Sequence, residues 1–258
     1  MQPADIREGI KGSVGKEILY FEKVGSTNAL ALDIAEKVTD GTVVLADSQE
    51  KGKGRLGRIW LSPPGVNVYL SVILKPALTS RDAALLTFMA AVAGVHALRR
   101  TSGLEIRIKW PNDLVVSERK LGGILTETKI ERQRILVAVI GIGLNVNMDI
   151  DAFPADLLHT ATSVKIETGR IFPRERIIAE ILNEMDRWYT ELKGKKREIL
   201  LHEWQRLTST LGRHVTAIVG KEAYTGLADS VDDEGRLIIR LPSGRTRKIS
   251  SGDITILR

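Results

Sequence analysis

The chain holds 258 residues, 38 Lys+Arg against 32 Asp+Glu for a net charge of +6, and no cysteine. At roughly 100–200 residues per domain this is one large domain or a large one with a small companion, and the missing cysteines exclude disulfides, thiolate zinc sites and a cysteine nucleophile. The longest nearly unbroken apolar run, Ile135 to Leu144, falls well short of the ~20 residues that span a bilayer, and the charged N-terminus is no secretory peptide; a cytoplasmic protein with no membrane partner is expected.

Ser26-Thr27-Asn28 precede Ala29, Leu30, Ile34 and Val38, whose spacing predicts a helix with a polar cap, stopped at Asp40-Gly41. Thr42 to Asp47 reads as a short buried strand. A glycine-rich basic loop runs from Gln49 to Trp60, and Pro63-Pro64-Gly65 turn the chain into a second strand, Asn67 to Leu74. Ser80 is read as the cap of a long helix to Arg100, ended by Gly103. Strands are predicted at Glu105–Lys109, Lys120–Thr128 and Arg134–Ile142. Pro173 suits the first position of a helix running to Leu192, and a shorter helix follows Gly194 as far as Leu207. His96, in an apolar helical stretch, is read as a packed residue with one hydrogen bond. Beyond Gly212 the pattern changes to short alternating strands, His214–Val219, Ala223–Ser230, Arg236–Leu241 and Thr246–Ile249. The expectation is a larger α+β domain over residues 1–211 with a small β-barrel appended over residues 212–258.

Gly52-Lys53-Gly54-Arg55-Leu56-Gly57 fits the GxGxxG pattern, but a dinucleotide site needs a helix to open straight after the glycines. Ile59-Trp60-Leu61-Ser62-Pro63-Pro64 follows instead, and consecutive prolines forbid a helix interior. What remains is a loop carrying Lys51, Lys53, Arg55 and Arg58 among three glycines, ending in an aromatic face, Trp60. Glycine lets backbone N–H groups approach an anion, and arginine grips phosphate with a planar fork; a solvated basic loop and a core tryptophan are the plainer readings. Lys109-Trp110-Pro111-Asn112-Asp113 reads as a turn between two strands. Its amide and carboxylate could hold a magnesium–phosphate assembly or simply make a hairpin turn.

These segments gain meaning from their order. Ser26-Thr27-Asn28, the Gly-Lys-Gly-Arg-Leu-Gly-Arg-Ile-Trp loop, Lys-Trp-Pro-Asn-Asp, Lys120-Leu-Gly-Gly-Ile-Leu and Gly141-Ile-Gly-Leu-Asn-Val-Asn closely resemble the biotin–protein ligases. The resemblance extends from about Tyr20 to the C-terminus. It implies a mixed-sheet catalytic domain with a C-terminal Src-homology-3-like barrel. It also implies two steps: biotin and ATP give biotinyl-5′-AMP with Mg2+ present, and biotin then passes to one lysine of a biotin carboxyl carrier domain.

The resemblance further implies site roles. Lys120 and Arg55 would be catalytic, beside the biotin carboxylate and the α-phosphate. Ser26, Thr27, Asn28, Gln49, Lys53, Gly54, Gly122 and Gly123 would join them around biotin. Arg58, Trp60, Asn112 and Asn145 would serve ATP with Arg55 and Lys120, Trp60 by stacking on adenine. Asp113 would help hold the metal. Where the family usually has Gly-Arg-Gly-Arg this chain has Gly-Lys-Gly-Arg, so Lys53 keeps the charge and loses the fork. Only about 20 residues precede the matching region, too few for the winged helix some relatives carry, so no DNA partner is expected; a homodimer is left open. The rival readings are a lipoate–protein ligase and a noncatalytic nucleic-acid-binding protein.

Overall fold

The computed structural model describes residues 1–194 and 196–257. A short helix α1 (Pro3–Gly9) leads into β1 (Ile18–Val24), α2 (Thr27–Ile34) and β2 (Thr42–Gln49). After the glycine loop come β3 (Val68–Leu74), the long helix α3 (Ala83–Ser102), β4 (Arg107–Lys109), β5 (Asp113–Val116), β6 (Arg119–Glu131) and β7 (Arg134–Leu144). Helices α4 (Val164–Thr168), α5 (Arg174–Lys193) and α6 (Arg197–Leu207) follow. The chain closes with β8 (His214–Val219), β9 (Glu222–Val231), β10 (Leu237–Arg240), β11 (Thr246–Ile249) and β12 (Asp253–Ile256).

The first seven strands form one mixed sheet in the order β1-β2-β3-β7-β6-β5-β4, with β1 and β2 parallel and the remaining neighbours antiparallel. Strand β3, apolar but for Ser71, is buried along its whole length, as a central strand covered on both faces requires. Helix α2 lies on one face through Ala31 and Ala35 against Val44, Ile73, Val137 and Val139. Helices α3, α5 and α6 belong to the core on the other, where Phe88 stacks on Trp204 at 4.2 Å. Among the described residues, Ser80–Ser102 is the one helix long and apolar enough to cross a membrane, yet 72% of its apolar window is buried inside the fold. Its composition is that of a core helix packed on several sides. His96 is packed as expected, half-buried with Glu203 at 2.7 Å.

Two local expectations shift. The long helix is entered through Thr79 rather than Ser80: Thr79 and Asp82 form a reciprocal capping box around a single 3-10 turn. Gly103 closes that helix in the left-handed region, φ 75°. Strands β1, β5 and β12 carry too little apolar alternation to announce themselves; β1 buries fully only Ile18.

The C-terminal strands make a five-stranded antiparallel sheet, β11-β10-β9-β8-β12. Its own apolar face includes Val215, Ala217, Ala228, Leu237, Ile239 and Ile254, all buried. It is seated on the larger sheet by Trp110, whose indole N–H donates to the Gly235 carbonyl at 3.3 Å. The Trp110 backbone N–H donates to Thr210 Oγ1 at 2.9 Å.

Candidate active site

The N-terminus of α2 meets the middle of the sheet at three neighbouring strands. Ser71 on β3 and Leu125 on β6 flank Gly141 on β7 in register. Gly141 has no side chain because the Asn28 carboxamide occupies that space: a Cβ there would lie 2.1 Å from Asn28 Oδ1. Asn28 Nδ2 donates to the Leu125 carbonyl at 3.1 Å and to Glu127 Oε2 at 2.8 Å, and Oδ1 accepts from Ser71 at 2.6 Å. Thr27 Oγ1 lies 2.8 Å from Ser71 Oγ and 3.1 Å from Gln49 Oε1, which also accepts from the Thr27 N–H at 2.9 Å. Gln49 Nε2 in turn donates to Ser62. Ser26 accepts from the Ala29 N–H as the helix cap, so one residue caps while its neighbour faces the network.

The glycine loop crosses above this floor. The structure gives its cations internal partners. Arg55 donates to Asn112 Oδ1 at 3.1 Å and to the Gly252 carbonyl at 3.4 Å, and Arg58 pairs with Asp253. Both Gly252 and Asp253 come from the C-terminal sheet. Burial pulls the Arg55 guanidinium down from its usual range, while Asp253 and Asp113 oppose that pull; arginine stays charged regardless. The loop ends at Trp60, whose indole lies over Gly143: a Cβ on Gly143 would come within 2.5 Å of the ring. Trp60 Nε1 is buried with no hydrogen-bond partner among the described residues.

Lys120 sits beside that ring, Nζ 5.6 Å from its centroid, and pairs with Asp113 at 2.6 Å. Asp113, the residue proposed from sequence for a metal, therefore already carries a cation. Among the described residues no group of three His, Asp or Glu side chains is placed to hold a metal. Were a divalent ion to arrive with a phosphate chain, Asp113 is the carboxylate of this cavity that would lie beside Lys120 and the phosphate.

These residues line one cavity of about 630 Å3, within the range of small-molecule sites. Ser26, Thr27, Asn28, Gln49, Lys53, Gly54, Arg55, Arg58, Trp60, Asn112, Asp113, Lys120, Gly123 and Asn145 all face it. Gly122 does not: side-chain direction alternates along a strand, and a Cβ on Gly122 would meet Leu144 at 2.4 Å on the opposite side. Asn145 is anchored by donating to the Thr162 carbonyl at 3.0 Å. A second cavity of about 850 Å3 borders the same loop from the side of Thr87, Phe88 and Glu127. Sequence reasoning missed Ser71, Glu127, Gly143, Gly252 and Asp253. Ser71 is the lone polar residue in the Val68–Leu74 run and Gly141 and Gly143 alternate on one strand face, so these left a trace; Asp253, 195 residues from Arg58, left none.

Residues 20–145 match the family model described as the Biotin/lipoate A/B protein ligase family, and residues 210–257 match the Biotin protein ligase C terminal domain. The Bacillus subtilis bifunctional ligase/repressor BirA is 33% identical over 99% of this chain and 79% of its own length. The chain belongs to the biotin protein ligases. The Paracoccus denitrificans biotin–[acetyl-CoA-carboxylase] ligase is likewise 33% identical, over 86% of this ligase and 94% of its own length. A solved Aquifex aeolicus biotin protein ligase in complex with biotin and ATP superposes with a TM-score of 0.80 at 27% identity, covering 94% of this ligase and 99% of that chain.

Proposed function

We propose that this ligase joins biotin to ATP as biotinyl-5′-AMP, releasing pyrophosphate, and then transfers biotin to a lysine of a biotin carboxyl carrier domain, releasing AMP. The observation that carries the reading is one enclosure with two chemically opposite ends. Thr27 and Gln49 offer neutral hydrogen-bonding groups suited to a ureido head, and Lys120 and Arg55 offer cations suited to a carboxylate meeting a phosphate. Biotin's carboxylate attacks the α-phosphate, so two anions approach while charge builds on phosphoryl oxygens. Preorganised cations stabilise that charge, and positioning supplies much of the remaining acceleration. Lys120 and Arg55 take this part, Arg58 the triphosphate, Asn112 and Asn145 the nucleotide, and Trp60 the adenine face. Magnesium enters with ATP as part of the substrate. No protein nucleophile is required, because the substrate carboxylate attacks.

The division into a catalytic domain, residues 1–211, and a small domain, residues 212–258, carries a functional consequence in this reading. The small domain supplies Gly252 and Asp253 to the loop that covers the anhydride. It supplies them through the β12 edge rather than through the basic turn Arg245–Lys248, where Arg247 meets Tyr224 and Lys248 meets Asp232. The test is ATP–pyrophosphate exchange with biotin, lipoate or neither. Biotin-dependent exchange supports the reading, and exchange with lipoate alone would replace it with the related ligation.

A further inference from the structure

We propose that the second cavity, between the glycine loop and α3, is the port through which the acceptor lysine reaches the biotinyl carbonyl. This rests on the reaction proposed above and gives its second step a route of its own. With biotin and the nucleotide filling the cavity of about 630 Å3, the amine needs another way in. The second cavity holds about 850 Å3. Its walls come from parts of the chain that no motif marks: Thr87 and Phe88 of α3, Thr126 of β6, Gly235, and Ser250 and Ser251 of the β11–β12 turn. It shares Gly54, Arg55, Pro111 and Asn112 with the ligand cavity, and the two meet where Arg55 donates to Asn112 at 3.1 Å. That contact lies at the charged end, where the anhydride forms.

The lining suits an amine on an apolar stem. Phe88, Pro111 and Ile124 offer the stem an apolar wall, and Thr87 donates to Thr126 at 2.8 Å, so these hydroxyls are paired with each other. The two carboxylates of the lining are engaged elsewhere, Glu50 with Lys23 at 2.7 Å and Glu127 with Asn28 at 2.8 Å. Lys51, Lys53, Arg55 and Arg58 face the cavity from the loop. Like charges disfavour the charged form of an incoming amine, and the neutral form is the nucleophile. Its lone pair adds to the biotinyl carbonyl carbon and a C–N bond forms. The carbonyl C–O bond to phosphate then breaks, AMP leaves with the electron pair, and the nitrogen releases its surplus proton to water. The same cations set the kind of partner, since carboxylates flanking the acceptor lysine complement them. A lysine side chain is short, so the partner's own surface rests on the rim. There Leu56 and Ile59, 69% and 86% exposed, line the cavity and present apolar contact.

The variants are Thr87→Phe and Ser250→Trp in the full chain, which narrow the port from α3 and from the small sheet, with thermal unfolding confirming that each is folded. Biotin-dependent ATP–pyrophosphate exchange should match the wild type. So should discharge of preformed biotinyl-5′-AMP by hydroxylamine, a nucleophile small enough to pass. Single-turnover transfer to a purified apo carrier domain of an acetyl-CoA carboxylase should fall by about tenfold or more, because a misplacement of about 1 Å can cost ~10²-fold. Wild-type transfer in the folded variants overturns the proposal. A loss shared equally by exchange, or by hydroxylamine discharge, overturns it too, because the cavity would then serve the first step or the fold as a whole. Should Thr87→Phe fail to fold, Ser250→Trp alone decides it. A wild-type chain without biotin-dependent exchange would instead remove the reaction on which the proposal stands.

Discussion

At the Thr27 end of the cavity the groups that face the cavity are uncharged and already satisfied within the protein, Asn28 by Leu125, Glu127 and Ser71, and Thr27 by Gln49. At the Arg55 end the groups are cations whose present partners are other side chains: Arg58 with Asp253, Lys120 with Asp113, Arg55 with Asn112. The first end is set before a ligand arrives and changes little on binding. The second must exchange carboxylate and amide partners for phosphate. In the proposed reaction, affinity and discrimination would belong to the floor of the sheet, and rate and retention to the loop. Removing a group at one end should leave the other end's kinetics alone.

The largest expected effect is at the charged end. Lys120→Ala should slow single-turnover formation of biotinyl-5′-AMP by ~10²–10³; a normal adenylation rate would remove Lys120 from the chemistry. Next, Arg55→Gly should raise the release rate of preformed biotinyl-5′-AMP by about tenfold or more, since a charge-assisted contact is worth ~1.5–3 kcal/mol. Rapid dilution of the loaded enzyme measures it, and an unchanged rate would mean that the loop does not clamp the anhydride.

A smaller effect sharpens the idea of exchanged partners. The Arg58–Asp253 pair is partly solvent-exposed, with side chains 64% and 36% accessible, and such pairs contribute ~0.2–1 kcal/mol. Asp253→Asn should therefore tighten ATP by a few-fold, because the phosphate no longer competes with a carboxylate. It should also speed tryptic cleavage at Lys51–Arg58 in the absence of ligand. Looser ATP binding would show Asp253 helping the nucleotide rather than standing in for it. The smallest effect is a control remote from both ends. Gln133, at φ 68° in the β6–β7 turn, holds a left-handed conformation that costs a side chain ~1 kcal/mol. Gln133→Gly should raise Tm by about 2 °C and leave both KM values where they are.

The charged end was the more legible in the sequence. Lys53-Gly54-Arg55 and Lys120 sit in short unusual runs, and a cation needs only a neighbouring anion to matter. The neutral end is distributed: Thr27, Ser71 and Glu127 are separated by tens of residues and meet because β3, β7 and β6 are adjacent. A serine in an apolar strand is a faint trace that gains meaning only when the register places it opposite Gly141. The Gly122-Gly123 pair shows the same limit from the other side. Composition treats two glycines alike, whereas a strand turns one toward the cavity and the other toward Leu144. In the fold, helices α3 and α5 were readable from their apolar spacing, while β1 and β12 lie at sheet edges and bury too few residues to stand out.

Gly235 carries a consequence for how the molecule comes apart. It turns between β9 and β10 at φ 77°, and a Cβ there would sit 3.1 Å from Ala84 and 3.4 Å from Phe88 of α3, with its carbonyl held by Trp110. The small sheet is thus plugged into the apolar centre of the large domain, and withdrawing it would wet Phe88 and Trp110 together. Calorimetry should record a single heat-absorption peak whose measured enthalpy equals the van't Hoff enthalpy, as for one cooperative unit.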